Sequence, residues 1–65
     1  MSLSELTEVV TVTDVDGDVF TIEKIEDGVH AGSFFATVSG EDGHRAVVLS
    51  KTDALHIVAA LTAVL

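Results

Sequence analysis

Three Asp-Gly pairs set the spacing of this chain: Val15-Asp16-Gly17, Glu26-Asp27-Gly28 and Glu41-Asp42-Gly43. Runs rich in Val, Thr, Ile or Phe separate them. Glycine reaches the positive φ of a tight reversal without steric cost, and Asp is at ease just before it. Each triplet therefore reads as a hairpin turn, and side-chain alternation selects the loop length. At the first turn a three-residue loop, Val15 to Gly17, pairs Val12 with Phe20 and Val10 with Ile22, and sets Glu8 across from Lys24. A two-residue loop would oppose Val10 to Glu23, so the three-residue loop is preferred.

The same rule at the second turn pairs Phe20 with Phe34 and Ile22 with Gly32. At the third it pairs Ala36 with Val48 and Val38 with Ala46. One sheet face then collects Val10, Val12, Phe20, Ile22, Phe34, Ala36, Val38, Ala46 and Val48, and the three turns agree on it. The other face carries Val9, Val19, Ile25, Phe35, Val47 and Leu49 among Thr21, Glu23 and Thr37. The expected strands are 7–14, 18–25, 29–39 and 45–49 in an antiparallel meander, with residues 1–6 a frayed end or short helical lead-in. No Pro, linker or boundary divides the chain, so residues 1–65 read as one domain.

Ser50-Lys51-Thr52-Asp53 is a helix start, with Ser50 as cap and Asp53 as a short capping-box partner. A helix over 51–65 follows. Ala54, Ile57, Val58, Leu61, Val64 and Leu65 share one side, suited to packing on the sheet. His56, Ala59, Ala60 and Ala63 lie opposite. From Ala54 onward the helix has no charged residue, although the chain carries a net charge of −8. A surface helix in so acidic a protein should show a charged outer face. The expected fold class is therefore α+β, a four-stranded antiparallel meander with one C-terminal helix packed on the sheet.

Size and composition turn this into an expectation of assembly. A domain this short buries only about 60% of the surface its unfolded chain exposes and is marginal alone. The chain has no cysteine and no zinc-ligand spacing to reinforce it. One helix cannot cover both faces of a four-stranded sheet, and so large an apolar patch exceeds what small monomers expose. A homo-oligomer, with a dimer favoured, follows. Its candidate interface residues are His56, Ala59, Ala60 and Ala63 on the helix and Val19, Phe35, Val47 and Leu49 on the sheet.

Other chemistry is weakly signalled. Asp14-Val15-Asp16-Gly17-Asp18 resembles the start of a calcium loop, but Val19 stands where the loop needs glycine and Ile25 where it needs the bidentate acid. His30, His44 and His56 lack ligand spacing, with His30 expected opposite Lys24 on a strand. No nucleophile elbow, oxyanion motif or phosphate loop is present. No cofactor, metal or catalytic residue is expected, and the chain reads as a non-enzyme. Three basic residues against eleven acidic ones exclude direct binding to a row of phosphates. The uncharged C-terminal stretch reaches about 18 Å as a helix, short of the roughly 30 Å hydrocarbon core of a membrane. Met1-Ser2-Leu3-Ser4-Glu5 shows no basic signal-peptide start, so a cytoplasmic location is expected.

The segment Ala46-Val47-Val48-Leu49-Ser50-Lys51-Thr52-Asp53-Ala54, after Asp-Gly hairpins and before an Ala-rich helix, resembles small proteins of actinobacteria and their phages. The resemblance spans most of the chain, rests on a generic strand–cap–helix motif, and carries over no site residue. It implies a host or phage accessory role. The scarcity of Arg departs from it, and a haloarchaeal source would account for the acidity as well. The expected function is a small accessory or regulatory protein acting by homo-oligomerisation and by binding a host protein. The alternative is an acidic, DNA-mimic inhibitor of a nucleic-acid-binding protein. That alternative requires the turn carboxylates Asp14, Asp16, Asp18, Glu26, Asp27, Glu41 and Asp42 to form one stripe.

Overall fold

The computed structural model describes residues 5–65. Strands β1 (Leu6–Thr13), β2 (Val19–Ile25), β3 (Phe34–Gly40) and β4 (Gly43–Leu49) form one antiparallel sheet in the order β1-β2-β3-β4, followed by helix α1 (Lys51–Val64). The α+β meander expected from the turns is the architecture of the chain. Of the expected lead-in, residues 1–4 lie outside the described residues. Glu5 is tied to the sheet: its carbonyl accepts from the Glu26 N–H at 2.8 Å, and its N–H donates to Asp27 Oδ1 at 3.0 Å.

The first turn has the three-residue loop that alternation selects. Val12 pairs with Phe20 and Val10 with Ile22. Gly17 takes φ +87°, and Asp14 Oδ1 accepts from the N–H groups of Asp16 and Asp18 at 2.8 and 3.0 Å. This carboxylate mimics a backbone turn, the usual role of Asp at such positions. Further along, a bulge at Val9 shifts the pairing, so Glu8 faces Glu23 and Thr7 faces Lys24 in place of the expected Glu8–Lys24 pair.

The second connection is longer than expected. β3 starts at Phe34, not 29, because residues 29–33 belong to a folded loop. Gly28 and Gly32 both adopt φ +89°. The Ala31 N–H donates to the Gly28 carbonyl and the Ser33 N–H to the His30 carbonyl. Two bonds of 2.9 Å close the loop on Ile25, whose N–H donates to the Ser33 carbonyl and whose carbonyl accepts from the Gly32 N–H. Phe20 consequently pairs with Val38 and Ile22 with Ala36. The expected register left Ile22 opposite a glycine. The observed one gives it a side chain to pack against, the better cross-strand pair.

At the third turn the loop is one residue shorter than expected. Gly40 faces Gly43 across Glu41-Asp42, with Gly43 at φ +108°. A one-residue slip turns every side chain of a strand over. Ala36 therefore pairs with Val47 and Phe34 with Leu49, whereas Ala46 and Val48 move to the other face. Gly40 lies against the Asp18 side chain of the neighbouring turn, which would clash with a Cβ there.

Among the described residues the buried hydrophobic core is Ile25 and Ala36, each 6% exposed. The radius of gyration is 13.1 Å, against about 11 Å for a compact chain of this length. Gly17 has open space where a Cβ would stand, so a side chain there costs backbone energy alone. Gly17→Ala is expected to lower stability by about 1–2 kcal/mol, read as an earlier urea midpoint. An unchanged midpoint would show that the turn does not hold its positive φ in solution.

Candidate interface surfaces

Strand register sorts the sheet into two chemically different faces, since alternate residues point to opposite sides. The first carries Val10, Val12, Phe20, Ile22, Phe34, Ala36, Val38, Val47 and Leu49, with Lys24 and Arg45 as its charged strand residues. No acidic strand residue lies on it. Ala36 at its centre is buried and Ile22, Phe34 and Leu49 are half-buried, but Val12 is 54% exposed, Val38 51% and Val47 55%. The second face is mixed. Glu8, Glu23, Thr11, Thr21 and Thr37 occupy much of it, with a cross-strand contact of 3.4 Å between the Thr11 and Thr21 hydroxyls. The Thr11 hydroxyl donates to Glu8 Oε2 at 3.0 Å.

At one end of the second face, Leu6, Ile25, Phe35 and Val48 meet the β2–β3 loop and line an open cleft of about 260 Å³ together with Val29 and His30. His30 therefore sits in the loop, not on a strand opposite Lys24. At the opposite end of the sheet, Asp18, Val38, Asp42, His44 and Arg45 border a recess of mixed polarity of about 360 Å³. Among the described residues no group of His, Asp and Glu is arranged to hold a metal ion. The carboxylates divide between the two ends of the meander, with Asp14, Asp16, Asp18, Glu41 and Asp42 at one and Glu26 and Asp27 at the other.

Helix α1 starts as its sequence requires. The Asp53 N–H donates to Ser50 Oγ at 3.0 Å, and the Ser50 N–H donates to Asp53 Oδ2 at 3.1 Å, completing the capping box. Its packing differs from expectation. Ser50, extended at φ −71° and ψ 168°, is the only residue between β4 and α1. Strand–helix connections in compact folds usually take several residues to reverse direction. Here the helix meets the sheet mainly at β4, and none of its residues is buried. The side meant for the sheet is largely open to solvent: Ala54 is half-buried, but Ile57, Val58, Leu61, Val64 and Leu65 are all exposed, Leu61 by 54%.

The candidate interface residues are thus distributed over three surfaces. Val47 and Leu49 lie on the apolar sheet face, Val19 and Phe35 on the mixed face, and His56, Ala59, Ala60 and Ala63 on the helix. The turned-over β4 separates the sheet residues that the sequence reading placed together. That reading took Leu61, Val12 and Val38 as covered because it placed the helix over the sheet, whereas all three are exposed. The single-residue Ser50 connection was the available signal that it does not lie there.

Comparison of the chain with protein families, curated proteins and solved structures finds no match. Among the described residues, no helix is long and apolar enough to cross a membrane.

Because α1 has little tertiary support within one chain, its cap should matter. Ser50→Ala is expected to cost about 1 kcal/mol and to reduce the helical far-UV signal on mild warming. Helical signal and midpoint equal to wild type would remove Ser50 from the role of helix start.

Proposed function

We propose that this protein is a non-enzymatic accessory or regulatory protein that acts by self-association and by binding another protein, in the cytoplasm. The observation that carries the reading is the amount of apolar surface one chain leaves in water. The chain exposes 5151 Å², whereas a compact monomer of its 6.8 kDa mass exposes about 4,000 Å². The excess, on the order of 1,000 Å², is comparable with one partner's share of a stable interface. The exposed large apolar residues include Leu55, Ile57, Val58, Leu61 and Val64 on α1 and Val10, Val12, Phe20, Val38 and Val47 on the apolar sheet face. A patch of this size marks an association surface.

The DNA-mimic alternative is less well supported. Its carboxylates are split between opposite ends of the meander, and the Asp14 carboxylate accepts two backbone N–H groups within its own turn.

A dimer that buries this surface is stabilised by mass action, so its melting temperature rises with protein concentration. Light scattering is expected to give twice the chain mass at micromolar concentration, with a melting temperature that increases on concentration. A monomeric mass and a concentration-independent melting temperature would sink the proposal.

A further inference from the structure

We infer that the surface covering the apolar sheet face is α1 of a second copy, the two chains exchanging helices reciprocally. This rests on the self-association reading and specifies its geometry. Within one chain the sheet face and the helix are each open, and each lacks what the other supplies. The face is a broad apolar surface, and the helix is an apolar rod of 14 residues with Lys51 and Asp53 as its charged residues, both in the first turn. The Ser50 connection sends the helix off the end of β4, so that it meets the sheet mainly at that strand and leaves Val10, Val12, Phe20, Val38 and Val47 exposed. Reciprocal exchange uses both surfaces in both chains and closes as a two-fold dimer, the commonest symmetric assembly.

Area and charge support the same occupant. The open side chains on the helix and on the sheet face together present on the order of 1,000 Å² per chain, above the roughly 800 Å² per partner of a standard interface. Either surface used alone would leave the other in water. Two chains of net charge −8 repel each other wherever carboxylates are juxtaposed. The sheet carboxylates lie in the turns and on the mixed face, so the Lys24 and Arg45 face is where another acidic chain meets least repulsion.

The test uses wild-type protein first. In a mixed sample of isotope-labelled and unlabelled chains, intermolecular NOEs are expected from α1 methyls of Val58 and Leu61 to sheet methyls of Val12 and Val47. A dimer whose intermolecular NOEs run only helix to helix, or only sheet to sheet, overturns the exchange and leaves self-association standing. A monomer overturns both. Independently, Val47→Lys and Leu61→Glu, each confirmed folded by circular dichroism, are each expected to halve the mass. Mixing them recreates one intact helix-on-sheet contact and should double the mass again. Either variant remaining dimeric alone, or two monomeric variants that do not rescue each other, overturns the exchange.

Discussion

The junction between β4 and α1 governs what this molecule can do. Ser50 ends an extended strand and caps a helix within a single residue, and its reciprocal bonds with Asp53 hold the first turn in place. A longer connection would let the chain reverse and lay the helix over the sheet. This one does not, so a helix without charge beyond its first turn stands away from the face best able to bury it. The open apolar face, the small core and the excess of exposed surface all follow from that geometry.

The sheet itself is well specified but thin. Cross-strand pairs such as Ile22 with Ala36 and Ala36 with Val47 place apolar side chains together, but a single layer shields a side chain on one side at most. A domain needs a second layer to enclose a core. The proposed exchange supplies that layer from another copy, so stability and association become one property. Small domains without disulfides or metals commonly rely on this arrangement.

Strand order, the first turn and the helix cap were all legible in the residues, because each depends on local chemistry. Asp16-Gly17 and Ser50-Lys51-Thr52-Asp53 state their conformations within a few positions. The two later registers were less legible. Gly28 and Gly32 together build a loop that a single Asp-Gly signal does not reveal. Its register shift preserved the faces because it was even. At Glu41-Asp42 the loop was shorter by one residue, an odd change that turned β4 over and exchanged Val48 for Val47 on the apolar face. The helix position was missed for a different reason. Its periodicity shows which side is apolar, but not whose sheet that side meets.

The bulge at Val9 has a consequence for how far such association can proceed. β1 is an edge strand, and a straight edge with free backbone groups invites another chain to pair and extend the sheet. The extra residue breaks the regular spacing of those groups and twists the edge, while Glu8 beside it opposes the approach of another acidic strand. Growth by strand addition is thereby discouraged on the β1 side. In the proposed exchange, contact is directed instead to the sheet face and the helix. For the proposed dimer, the bulge thus works against one route, strand addition at β1, by which a 65-residue chain with an open apolar face could grow into a fibre.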